Sequence, residues 1–200
     1  MPQAGIERLL AGNRRFASHL STHVYGLEAE QQDLAGGQHP FATVFGCADS
    51  RVPVELVFDQ GLGDLFVIRN AGHIVGESVL GSMEFAATII GCRLIVVLGH
   101  SHCGAVTAAV KAWETGYYPE GHIASIVRAI EPVVRDVDTT DIDAVMRAHV
   151  IDTTRTIYNS SETLAKLVRS GDLAIVAAEY QLSTLAVDVL GVLDRSSAPA

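Results

Sequence analysis

Apolar residues fall along this chain in short unbroken runs separated by stretches of helical periodicity. Phe41–Gly46, Leu65–Ile68 and Leu94–Leu98 are continuous apolar or small-residue runs without a polar alternation. Such runs suit strands covered on both faces of a parallel sheet. Leu173–Tyr180 and Leu185–Leu190 predict two more strands. Residues 5–18 carry Ile6, Leu9, Leu10 and Phe16 among charges and predict a helix. Further helices are predicted over Gly76–Ile90, Cys103–Glu114, Ile123–Val137, Asp141–Tyr158 and Glu162–Ser170. Gln31–Pro40 reads as a loop, Gly116–Gly121 as a break, and Arg195–Ala200 as a loose tail. Strands alternating with helices predict an α/β fold. The expected architecture is a mostly parallel central sheet flanked by helices, with an N-terminal helical arm and an antiparallel edge strand. One domain is expected over residues 1–200, the arm covering 1–36 and an α/β core 37–195. Open sheets of this class bind ligands beyond the carboxyl ends of their strands. Cys47 directly follows the first run, and Gly99-His100 ends the third.

Composition narrows the function. With 200 residues, 48% of them hydrophobic and 18% charged, the chain reads as globular. A formal net charge of −9 argues against a nucleic-acid partner, which requires clustered Lys and Arg. Leu94–Gly99 is too short to cross a bilayer, and Met1–Leu20 mixes Glu, Arg and Asn into its apolar residues, unlike a signal peptide. No membrane partner is expected. Three cysteines, Cys47, Cys92 and Cys103, do not make a disulfide framework. A reducing, cytoplasmic setting is expected.

Two clusters carry candidate chemistry: Cys47-Ala48-Asp49-Ser50-Arg51 and Gly99-His100-Ser101-His102-Cys103-Gly104. Two thiols and an imidazole converge if their strands are neighbours. Zinc accepts sulfur and nitrogen in tetrahedral geometry, and three protein ligands leave a position for water. Cys92 precedes a strand and belongs at the opposite end. A cysteine at a strand end is more often a small buried hydrophobe. Asp49 and Arg51 alternate with Cys47 and would share one side of an extended segment. Beside a metal, the carboxylate would orient water and the guanidinium would hold the carboxylate; elsewhere the same pair is a surface ion pair. A helix beginning near Cys103 would favour thiolate there. His102 is a candidate proton relay or a solvent-facing histidine, and His73 sits near the cleft without an assigned role.

Four segments taken together resemble the β-class carbonic anhydrases: Cys47–Arg51, Phe66–Gly72, Gly81–Ala86 and Gly99–Ala105. The similarity runs from about Arg8 to the last strand, and the order and separations match. The resemblance implies one Zn2+ per subunit on Cys47, His100 and Cys103, with Asp49 and Arg51 as the catalytic pair and Asp49 as a fourth ligand in a closed state. It implies that Gln38 holds substrate or bicarbonate and that Phe66, Ala71 and Phe85 line an apolar pocket for carbon dioxide. Phe85 stands where many members carry tyrosine. In members of the family this residue can come from a neighbouring subunit, so a homodimer or homotetramer is implied. Val44 stands where a subgroup with an allosteric bicarbonate site has tryptophan, so that site is not expected and an open metal site is. Arg69, the usual companion of that tryptophan, is expected in an internal ion pair.

The implied activity is reversible hydration of carbon dioxide to bicarbonate and a proton by zinc-bound hydroxide. Two thiolates cancel the metal's formal charge, which predicts a water pKa above the value of about 7 reached with three neutral histidines and activity rising toward alkaline pH. The alternatives are hydrolysis of carbonyl sulfide or carbon disulfide on the same scaffold, or a non-catalytic zinc-binding or thiol-sensing domain.

Overall fold

The structure, a computed structural model, describes residues 2–22 and 35–198. Its centre is a five-stranded sheet: β1 Ala42–Cys47, β2 Leu65–Asn70, β3 Leu94–His100, β4 Ala174–Tyr180 and β5 Val187–Leu193. The spatial order is β2-β1-β3-β4-β5. β1 runs parallel to β2 and β3, β3 runs parallel to β4, and β5 closes the edge antiparallel to β4. The α/β class, the parallel sheet and the antiparallel edge agree with the hydrophobic pattern.

The helices are α1 Pro2–Ala17, α2 Val54–Val57, α3 Glu77–Phe85, α4 Gly104–Thr115, α5 Ile123–Arg135, α6 Ile142–Ser160 and α7 Glu162–Ser170. The four-residue α2 has no sequence signal because it is too short for a period to show. The run Gly76–Ile90 divides into α3 and a π turn over Ala86–Ile90, which Gly91 ends in the left-handed region. β5 extends three residues past Leu190, through Gly191, which masks the strand pattern. Residues 31–34 of the predicted loop and 199–200 of the predicted tail lie outside the described residues.

Side chains alternate across the sheet and feed two cores. On one face Phe45, Cys47, Ile95, Val97, Ile175 and Ala177 join residues of α3 to α7. On the other, Val44, Leu94, Val96, Leu98 and Val176 meet Ile6 and Leu9 of α1 and Val54 and Val57 of α2. α1 therefore lies against the chain's own sheet. Asn13 anchors it by donating to the carbonyls of Val57 and Leu185 and accepting from the Val187 amide. β1, β3 and β4 are buried throughout, whereas β2, an edge strand, keeps Leu65, Phe66, Val67 and Ile68 only half-buried.

One close approach fixes a helix over the sheet. A Cβ at Gly99 would lie 2.3 Å from Val150 Cγ2 and 2.5 Å from Met146 Sδ. The missing side chain lets α6 seat on β3 one residue before His100.

Candidate metal centre

The chain leaves β1 for β2 on one side and reaches β3 on the other, so the sheet order switches direction at β1. Crevices at such points lie outside the carboxyl ends of the strands. Cys47 is the last residue of β1 and His100 the last of its neighbour β3. Ser101 and His102 turn the chain back, His102 in a left-handed conformation (φ 54°), and deliver Cys103 to the start of α4. Donor atoms of Cys47, His100 and Cys103 all lie within 4.8 Å of one another, and all three residues are buried. Among the described residues this is the group of His, Cys, Asp and Glu side chains arranged to hold a metal ion.

The donor atoms fit a cation. His100 Nδ1 lies 2.9 Å from the Ser101 carbonyl oxygen, which can only accept, so Nδ1 carries the proton. Nε2 is left as a buried lone pair without a hydrogen-bond partner. Cys103, then the His100 ring and the Gly72 amide, pull the Cys47 thiol well below its ordinary value against burial. Cys47, together with burial, pushes Cys103 up, while the amides of Ala105 and Val106 in α4 pull it the other way. A divalent ion held by the two sulfurs and the ring nitrogen would displace their protons and leave both as thiolates. Cys92 lies at the opposite edge, donating to the Pro40 carbonyl, with burial pushing its pKa up.

Asp49 and Arg51 form a bidentate pair. Asp49 Oδ1 accepts from Arg51 Nε at 2.9 Å and Oδ2 from Nη2 at 2.8 Å. The Arg51 amide adds a third bond to Oδ1. The arrangement is a turn, not the extended segment suggested by Cys-x-Asp-x-Arg, since Val52 N–H bonds to the Asp49 carbonyl. The Arg51 guanidinium, then its amide and the His100 ring, hold Asp49 well below the usual carboxylate range. Asp49 Oδ2 lies 3.8 Å from His100 Nε2, so the carboxylate faces the donor group while bound to Arg51. Arg51 also donates to the His102 carbonyl, joining both loops.

Several supports were not legible. Arg69 donates to the carbonyls of Cys47 and Asp49, at 2.9 Å and 2.7 Å, where an ion pair had been expected. Asn70 closes residues 70–74 with two hydrogen bonds to Ile74. Gly72 N–H points at Cys47 Sγ, 3.4 Å away. Ser101 bonds to Tyr180 and Leu182, tying the His100 loop to the end of β4.

The residues expected around substrate are placed less closely. Phe66 and Phe85 meet with ring centroids 6.4 Å apart, and Phe85 remains 48% exposed. Ala71 is exposed, one residue from Gly72. Gln38 is exposed in the segment entering β1. Just after it, Pro40 and Phe41 are fixed at the amino edge of the sheet by bonds to Cys92 and Asp64. A strand of this length separates that edge from Cys47 by roughly 16 Å. One chain does not bring Gln38 to the Cys-His-Cys group.

Comparison with known proteins agrees with this geometry. A family profile described as carbonic anhydrase matches residues 42–187. Carbonic anhydrase 2 of Mycobacterium tuberculosis is 42% identical over 90% of this chain and 89% of its own length. The carbonic anhydrase of Mycolicibacterium smegmatis is 40% identical over 91% and 90%. The structure of the β-carbonic anhydrase CcaA superposes with a TM-score of 0.72 at 25% identity, covering 94% of this chain and 95% of that one. The chain belongs to the β-class carbonic anhydrase family. It is an enzyme of that family. Tetrameric β-carbonic anhydrases from Sordaria macrospora share the fold, with a TM-score of 0.73 at 20% identity over 94% of this chain and 98% of theirs. Among the described residues no helix is long and apolar enough to cross a membrane.

Proposed function

We propose that this β-class carbonic anhydrase hydrates carbon dioxide reversibly to bicarbonate and a proton, using one Zn2+ per subunit on Cys47, His100 and Cys103. The observation that carries this reading is the unpartnered His100 Nε2 beside two sulfurs, with an ion-paired carboxylate 3.8 Å away. When bound, zinc supplies a Lewis acid that lowers the pKa of water.

The chain's own groups do the rest. Ser101 fixes the tautomer of His100, and Gly72 N–H stabilises the Cys47 thiolate. The first amides of α4 do the same for Cys103. Asp49 Oδ2 accepts a hydrogen bond from the attacking oxygen and aims its lone pair at the carbon of carbon dioxide. Arg51 holds Asp49 in a bidentate ion pair facing the ligand atoms, and this pairing supports an open site in a chain with Val44 where a subgroup has tryptophan. Phe66, Ala71 and Phe85 provide apolar surface for an uncharged substrate.

Gln38 is supplied by a second copy of the chain. Its position at the far edge of its own sheet and the half-buried apolar residues of β2 support that assignment. The protein works as a homodimer or a pair of dimers. Its free thiols suit the cytoplasm.

Stopped-flow hydration of carbon dioxide from about pH 6 to 9, with zinc measured on the same sample, tests the reading. Activity proportional to zinc content and rising with pH is expected. Zinc-loaded protein that turns over carbonyl sulfide or carbon disulfide and leaves carbon dioxide untouched would sink it.

A further inference from the structure

Resting on the reading that Cys47 holds a metal, we propose that His149 is a positioning residue for Cys47, acting through the main chain of Gly72. His149 lies on α6, far from the ligands in sequence, and is 4% exposed. Its Nε2 lies 2.9 Å from the Gly72 carbonyl oxygen. That oxygen can only accept, so Nε2 carries the proton and Nδ1 is a buried lone pair without a partner. Burial lowers the pKa of the ring and favours its neutral form, and the Gly72 carbonyl selects the tautomer.

Gly72 is held on three sides. Its φ of +72° is open to glycine, and a Cβ there would lie 2.9 Å from Ala105 Cβ in α4. Its carbonyl faces His149 and its amide faces Cys47 Sγ. The next residue, His73, is also left-handed (φ 43°), fully buried, and has no partner on either ring nitrogen. A left-handed residue with a side chain costs roughly 1–2 kcal/mol, so the turn must be held by its surroundings. The His149 ring does so twice, bonding Gly72 and stacking on His73 with centroids 4.5 Å apart. Without the bond, the buried Gly72 carbonyl is left unpaired and the turn relaxes. Cys47 then loses the N–H that disperses its thiolate charge. α6 also carries Met146 and Val150, which pack on Gly99 beside His100. One helix therefore braces the segments behind two ligands.

The test compares His149→Phe, which keeps a ring and loses the donor, with His149→Gln, which keeps an N–H. Zinc affinity is measured by chelator competition, and the sulfur-to-metal charge-transfer band is recorded on the cobalt(II) protein. The Phe variant is expected to lose roughly 10–100-fold in zinc affinity and to shift the band, with Gln recovering most of both. A Phe variant that binds zinc as tightly as wild type with an unchanged band overturns the inference while leaving the metal site intact. Wild-type protein that binds no zinc overturns the metal reading itself. If the Phe variant does not fold, nitrogen-15 NMR of the wild-type histidines decides. A neutral His149 protonated at Nε2 supports the role, and a proton on Nδ1 or a rapidly exchanging ring refutes it.

Discussion

Gly99→Ala perturbs the metal centre from behind without touching a ligand. The added methyl would meet Val150 Cγ2 at 2.3 Å and Met146 Sδ at 2.5 Å. Both distances lie inside van der Waals contact, so something must move. Met146 can turn away through its flexible chain, whereas Val150 is β-branched on a helix and has one strongly preferred rotamer. Overpacking of this kind costs about 1–3 kcal/mol, and a clash with a stiff partner belongs at the upper end, near 3. Strain passes to the neighbouring His100, whose Nε2 must face two sulfurs. Urea unfolding of metal-free protein is the assay, followed by zinc affinity. Gly99→Ala should lower stability by about 2–3 kcal/mol and weaken zinc binding, and Val150→Ala combined with it should restore much of both. In a double-mutant cycle the pair should couple by about 1 kcal/mol or more. Gly99→Ala as stable as wild type, or two effects that simply add, would refute the claim that α6 seats on this glycine.

Asp49→Asn should keep its zinc and lose roughly 10²–10⁴-fold in carbon dioxide hydration, read by stopped flow with metal analysis. The Asp49 pKa is depressed in the folded chain, chiefly by Arg51, so its ionised form and the stability it brings are present above the unfolded carboxylate value and lost only as pH falls through the lower folded one. Arg51→Gln removes that cause, and the Asp49 pKa, followed by carboxyl carbon-13 NMR, should rise toward the ordinary carboxylate value; an unmoved pKa would show that Arg51 does not control Asp49. Removing metal should expose Cys47, whose thiol is pulled below its ordinary value by its Cys103 neighbour, to iodoacetamide at a lower pH than an ordinary thiol needs, while Cys92, raised by burial, stays unlabelled. Mass spectrometry should find zinc protecting Cys47, and equal labelling of Cys47 and Cys92 would contradict the lowered Cys47 pKa.

The strands were readable because the three central ones are buried on both faces and allow almost no polar residue. Cys47 and His100 were readable because each stands at the end of such a run. The Asp49 turn was not, since alternation over five residues fits an extended segment and a tight turn equally. His149 lies 77 residues from Gly72, and a single histidine on an amphipathic helix looks the same in sequence whether it fills a core or holds a carbonyl. The edge on which Gln38 sits depends on where Pro40 and Phe41 bond, a tertiary fact absent from any local pattern. α1 shows an amphipathic face, and only packing reveals that the chain's own sheet covers it.

Zinc K-edge absorption on the stoichiometrically loaded protein tests the proposed centre most directly. The predicted shell has two sulfurs at about 2.3 Å and two lighter atoms near 2.0–2.1 Å, falling to one sulfur in Cys103→Ser. A shell with fewer than two sulfurs in the wild type, or one unchanged by Cys103→Ser, would contradict it.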